Sequence, residues 1–118
     1  MTDAADDGRV DLVAEFTALP GREDEVQALI AELAIAVRSE PGCLVFDSYA
    51  VVDPPAVAEA ASAPRVDGRR FVVVESYRDE EAFESHLAQP HGAVFNAALG
   101  PLIAEPTGSV LRFLRPVQ

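Results

Sequence analysis

The sequence predicts an α+β fold of the ferredoxin-like kind, β-α-β-β-α(α)-β, an antiparallel sheet with its helices on one face. Three observations carry this. Residues 10–19, VDLVAEFTAL, place Val10, Leu12, Ala14, Phe16 and Ala18 on one side, as a strand does. Residues 22–39 keep a 3.6 period through Val26, Leu29, Ile30, Leu33, Ala34 and Val37, one continuous helix face. Two more strand-like runs, then helical stretches, then a last strand complete the split βαβ order.

Each element has a local cause. Pro20-Gly21 breaks the first strand. Glu23, Asp24 and Glu25 fall in the first turn of the helix and Arg38 near its last, the arrangement the helix dipole favours. Glu40-Pro41-Gly42 stops it. Residues 43–52, CLVFDSYAVV, are rich in β-branched and aromatic side chains and form the second strand. Residues 53–68 carry three prolines and many alanines, which predicts a long unpaired loop with room for a helical turn over 56–61. RRFVVVESY, residues 69–77, is the third strand. Asp79 is a good N-cap for a helix over EEAFESHLAQ. Pro90 suits the first turn of another helix, running to about Ile103 and kinked at Gly100-Pro101. Residues 108–117 are the last strand. Residues 1–9 read as a disordered acidic lead, and 10–117 as a single domain.

Composition narrows the function classes. The chain of 118 residues has a net charge of −11 and no lysine, which argues against nucleic acid and anionic membrane surfaces as partners. Cys43 is the only cysteine, so neither an intrachain disulfide nor a cysteine-built zinc site is possible. The start, MTDAADDGR, lacks the apolar stretch of a signal peptide, and no run approaches membrane-spanning length. A cytoplasmic protein is the expectation.

The sheet is expected to be apolar on both faces. Phe71 to Val74 and Cys43 to Phe46 are apolar without a break, Val13 backs the first strand, and only Arg112 interrupts Leu111 to Leu114. Helices cover one face. A second copy of the same sheet is the simplest cover for the other, which predicts a homodimer.

The stretches LPGREDEVQALI, EPGCLVFDSY, FVVVESY and AFESHLAQPHGAVFNAALGPLI together resemble the antibiotic biosynthesis monooxygenase family of dimeric α+β barrels. The family's pattern falls here on Pro20-Gly21, Glu40 to Cys43, Glu75, and Ala82, Phe83, His86 and His91. The resemblance implies the barrel dimer and a cofactor-independent monooxygenase acting on a quinol, anthrone or related aromatic polyketide. It equally admits a polyketide cyclase or isomerase on the same fold, or a non-catalytic small-molecule-binding or stress-related dimer. The chain departs from the family pattern in two respects. Tyr77 stands where many members carry Trp. The haem-degrading branch has an Asn in the first strand and an axial His after the late Phe. Here there is Glu15, and Asn96, Ala97 and Ala98 follow Phe95, which speaks against haem. The loop 53–68 is also longer than is usual in the family.

The two histidines carry most of the functional question. Five positions apart across Pro90, they do not have the three- or four-residue spacing of a helical metal pair, and no third ligand is evident, so no metal is expected. Phe83, His86 and Leu87 share a helix face. His91, Val94, Phe95, Ala98 and Leu102 make the matching face of the next helix. Both imidazoles then point between helices and sheet, where a pocket would be apolar with a few polar groups. Glu75 and Tyr77 share a strand face with Phe71 and Val73 and approach the imidazoles if that face meets the helices. In this reading His86 is the catalytic base or anion stabiliser, with Glu75, Tyr77, Phe83, His91 and Phe95 binding a small aromatic or quinol-like substrate and no cofactor. The competing reading makes the histidines hydrogen-bonded core residues, Glu75 an ion-pair partner of Arg112 or Arg78, and Tyr77 a packing aromatic. Cys43 reads as a small buried hydrophobe.

Overall fold

The computed structural model describes residues 8–117; most of the expected acidic lead therefore lies outside the described residues. Four strands form one antiparallel sheet: β1 (Val10–Ala18), β2 (Cys43–Ala50), β3 (Arg69–Tyr77) and β4 (Val110–Leu114), in the order β2-β3-β1-β4. Strand β1 pairs with β3 along its whole length, from Val10 opposite Tyr77 to Ala18 opposite Arg69. The helices α1 (Glu23–Arg38), α2 (Glu80–Leu87) and α3 (Pro90–Leu99) cover one face. This is the ferredoxin-like arrangement expected from the order of elements.

The strand alternation decides which residues meet the helices. Leu12, Ala14, Phe16 and Ala18 of β1 and Phe71, Val73, Glu75 and Tyr77 of β3 are buried on that face. Helix α1 answers with Val26, Ile30, Ala34 and Val37, and α3 with Phe95 and Leu99. Phe16 lies at the centre, 6.0 Å from the Phe71 ring and edge-on to Phe95 at 6.3 Å. The apolar face of α3 differs from the sequence expectation: Val94 and Ala98 are exposed, while Leu99 is buried. The helix begins at Pro90 with its own phase, so His91, Phe95 and Leu99 at i, i+4 and i+8 form its inner line.

Boundaries differ in three places. Strand β2 ends at Ala50, two residues early. Val51 still donates to the Arg70 carbonyl of β3 at 2.8 Å, and residues 52–68 leave the sheet with a 3-10 helix, Ala56–Ala61. Strand β4 is five residues rather than ten, because it pairs only with Asp11 to Glu15 of β1. The far end of β1 is taken instead by residues 102–105. Leu19 donates to the Leu102 carbonyl at 2.9 Å and Ala104 to that of Thr17 at 2.9 Å. The Glu105 carboxylate accepts from the Thr17 N–H at 2.7 Å and from its hydroxyl at 2.9 Å. The sequence pattern carries the last helix to about Ile103 and predicts no pairing for this stretch.

The other sheet face carries Val13, Val72, Val74, Tyr49, Val110 and Leu114, with Asp11, Glu15, Arg70, Asp47 and Arg112 among them. Val13, Val72 and Val74 form an apolar patch on it, interrupted by Glu15 beside Val72 and by Arg112 beside Val13.

Candidate functional site

Three local structures bring the site together. The first is the turn after α1. Arg38 donates from Nε to the Phe46 carbonyl at 3.0 Å and meets Asp47 at 3.1 Å, tying the end of α1 to β2. The Cys43 N–H donates to the Glu40 carbonyl at 3.1 Å and closes the turn. Gly42 is buried here, and a Cβ at this position would overlap that of Ala82 in α2. Its lack of a side chain lets the Glu40 turn and α2 meet.

The second is the start of α2. The Asp79 carboxylate accepts from the Ala82 N–H at 2.8 Å, and this bond holds the Asp79 pKa below its ordinary value. The cap fixes α2 so that Ala82, Phe83 and His86 face the sheet, while Leu87, expected on the same face, is exposed. Tyr77 packs 4.8 Å from the His86 ring and 5.3 Å from Phe83.

The third is the corner between α2 and α3. The Gln89 N–H donates to the His86 carbonyl at 3.2 Å, and Pro90 opens α3 at its first position. The corner turns the chain back, so His91 returns to the same point as His86 although they do not share a helix face.

That point is Glu40. His86 Nδ1 lies 3.1 and 3.2 Å from its two carboxylate oxygens, and His91 Nε2 lies 2.6 Å from Oε2. On its other side, His86 Nε2 is 3.9 Å from Glu75 Oε1, which accepts the Tyr77 hydroxyl at 2.7 Å. Burial pushes the Glu75 pKa up, against the opposing pull of the Tyr77 hydrogen bond and His86. Burial first, then the Glu75 charge and hydrogen bond, push that of Tyr77 up as well. A Glu40 carboxylate can only accept, so the nitrogens facing it carry hydrogens. A neutral His86 then keeps its lone pair on Nε2, beside Glu75 and the Tyr77 ring.

The family described as antibiotic biosynthesis monooxygenase matches residues 10–98. The chain belongs to this family. Rv0793 of Mycobacterium tuberculosis, named a putative monooxygenase, is 29% identical over 97 residues, 82% of each chain. Its solved structure superposes with a TM-score of 0.71 at 25% identity, over 93% of this chain and 96% of that one. A putative antibiotic biosynthesis monooxygenase of Caulobacter crescentus gives 0.73 at 25% identity, over 95% of this chain and 92% of its own.

Within the family frame, the structure gathers His86, His91, Glu75, Tyr77 and Phe83 into one cluster. It does not bring Phe95 to them: that ring lies in the main core against Phe16. Glu75 faces Tyr77 and His86 rather than an arginine, since Arg78 pairs with Asp79 at 3.4 Å and Arg112 lies on the opposite sheet face. Cys43 borders the cluster, and burial, then the charges of Glu40 and Glu75, push its thiol pKa up, so it is a poor nucleophile. A groove of about 500 Å³ lies on the far side of Phe83, lined also by Leu87, Phe113 and Leu114. Phe83 thus stands between this groove and His86, with the Phe113 ring edge-on at 5.7 Å.

Sequence reasoning missed Glu40 as a site residue. Its signal was present in Glu-Pro-Gly-Cys, but a Glu before Pro-Gly reads equally as the stop of a helix. The absence of a third ligand was likewise a feature of the sequence spacing only, because Glu40 is 46 residues from His86.

Proposed function

We propose that the protein is a cofactor-independent monooxygenase acting on a quinol, anthrone or related aromatic polyketide, with His86 as the base. The observation that carries the reading is the orientation of His86: Glu40 engages Nδ1 and leaves Nε2 as the basic nitrogen between Tyr77 and Glu75. Family membership supplies the reaction class. Nε2 takes a proton from the acidic carbon or phenol, leaving an electron-rich anion. For an anthrone the anion reduces O₂; one oxygen becomes the new carbonyl, and the other leaves as water with the two substrate hydrogens. The substrate supplies the electrons. The protein contributes deprotonation, hydrogen bonding to the anion and exclusion of water. Phe83 forms the wall through which the groove would reach His86.

Oxygen uptake with a panel of quinols and anthrones tests this. His86→Ala should lower turnover by about 10²- to 10⁴-fold, the reach of one general base. His91→Ala should lower it less. Full activity in a folded His86→Ala protein overturns the assignment. One observation favours a second reading, a binding dimer without chemistry: Glu40 already satisfies both imidazoles, and the groove lies beyond Phe83. Saturable binding of an aromatic quinol without O₂ uptake would select it.

The same reading includes a homodimer joined through the open sheet face. Its support is the patch of Val13, Val72 and Val74 on that face and the exposure of Val110 and Leu114 of β4 on the same face, at 47% and 48%. Light scattering of wild type and Val74→Asp should give a dimer and a monomer respectively. A monomeric wild type at micromolar concentration removes the dimer from the reading.

A further inference from the structure

We propose that Glu40, His86 and His91 form a binding site for one divalent first-row transition ion of zinc-like preference. This goes beyond the monooxygenase reading, which uses no metal.

The ligand chemistry is two imidazoles and one carboxylate, a set that zinc and its neighbours take with a fourth position left for water. One donor atom from each residue lies within 4.8 Å of the others. The donors come from three separate elements, the turn after α1, helix α2 and helix α3, so they surround a point rather than line a helix face. A tetrahedral ion with bonds of about 2.0–2.2 Å holds its ligand atoms about 3.3 Å apart. His86 Nδ1 stands at 3.1 Å from Glu40 already. The 2.6 Å contact from His91 Nε2 to Glu40 is a hydrogen bond, and it opens by less than an ångström when an ion takes the place of the proton.

An independent observation supports the site. Ligating histidines carry their remaining N–H toward a carboxylate that fixes the tautomer. His86 Nε2 faces Glu75 Oε1 at 3.9 Å, and Tyr77 holds that carboxyl group in place at 2.7 Å. When the ion binds His86 Nδ1 and His91 Nε2, the His86 hydrogen moves to Nε2, toward Glu75, and the His91 hydrogen moves to Nδ1. No proton is lost from a neutral imidazole in this exchange. The His91 side chain is 26% exposed and gives the ion its access path and its water. Magnesium and calcium are excluded by donor type, since both require mainly oxygen ligands.

An ion on Nδ1 leaves His86 with a hydrogen on Nε2 and no basic lone pair. The loaded site and the proposed base are therefore alternative states of one residue. The test is made on the resting protein and does not depend on turnover. Metal-stripped protein is titrated with cobalt(II) and followed by its visible absorption. The expected result is one ion per chain in a tetrahedral spectrum, displaced by zinc and not by an approximately 100-fold excess of magnesium. Glu40→Gln and His91→Ala should each weaken binding by more than about 100-fold. Glu75→Gln should weaken it by about 10- to 100-fold, the effect of losing an orienting partner. If Glu40→Gln fails to fold by circular dichroism, His91→Gln, at the more exposed ligand, carries the same test. The absence of a tetrahedral cobalt spectrum, displacement by magnesium, or wild-type affinity in folded His91 variants overturns the site. Cobalt binding is read on the resting protein and oxygen uptake on metal-stripped protein, so failure of either measurement is told apart from failure of the other.

Discussion

The helix-covered face of the sheet is dry at one end and polar at the other, and β3 crosses the boundary. Phe71 and Val73 pack into a core with Phe16, Val26, Ile30 and Val37. Two residues further along the same face, Glu75 and Tyr77 meet His86 and Glu40. Glu75 and Tyr77 are buried as deeply as Phe71 and Val73, but the consequences are opposite. At the α1 end it stabilises by removing apolar surface from water. At the α2 end it places a carboxyl and a phenol where each must find a partner, at a cost that apolar side chains would avoid. The difference locates stability in one half of the sheet and chemistry in the other.

The comparison can be broken most directly in the core. Phe16→Ala should cost about 3–5 kcal/mol in urea unfolding, because its ring touches both the sheet and α3. A loss under about 1 kcal/mol would mean that the α1 end does not carry the fold.

Gly42→Ala probes the seam between the halves. The added methyl overlaps Ala82, and we expect a loss of about 1–3 kcal/mol. The displacement of α2 should also separate Glu40 from His86. The histidine ring resonances in NMR should therefore shift more than those of Phe16. Unchanged histidine resonances would show that Gly42 does not set the site.

Glu75→Gln sharpens the contrast from the polar side. The amide oxygen still accepts from Tyr77 and no charge is buried, so stability should stay within about 1 kcal/mol of wild type or rise. Marked destabilisation would show that the carboxyl group is structural, like the core around it.

The smallest expected effect is at Asp79, whose pKa is lowered by its bond to the Ala82 N–H. A group lowered on folding contributes stability above its ordinary value, 3.8, and loses it as pH falls through the lower folded value. Asp79→Ala should therefore lower Tm slightly at pH 7 and leave it unchanged once the wild-type carboxyl group is protonated. A pH-independent difference would assign the effect to helix propensity alone.

The fold was legible where one residue pattern reports one face. Helix α1 shows its apolar period because a single sheet lies beneath it, and β1 and β3 alternate for the same reason. The pairing of residues 102–105 with the end of β1 was not legible, because the Thr17–Glu105 clamp joins residues 88 apart and leaves no local pattern. At the site, the inward placement of Glu75, Tyr77 and His86 followed from strand and helix periodicity. The meeting of His86 with His91 did not. Spacing arguments assume one helix axis, and the corner at Gln89-Pro90 supplies two. Glu40 was hidden because its role depends on a glycine two residues later having no side chain.

The position of β1 has a consequence for the order of events during synthesis. Among the described strands it is the earliest in the chain, yet both its neighbours, β3 and β4, come late, with Asp11 paired to a residue 65 positions on. At about 5–20 residues per second, the ribosome needs roughly 3 to 13 seconds to deliver that partner. Through this interval both edges of β1 are open and Leu12 and Phe16 have only α1 to pack against. The nascent chain therefore presents an unpaired apolar strand for seconds, the time in which a holding chaperone rather than a folding catalyst would be of use.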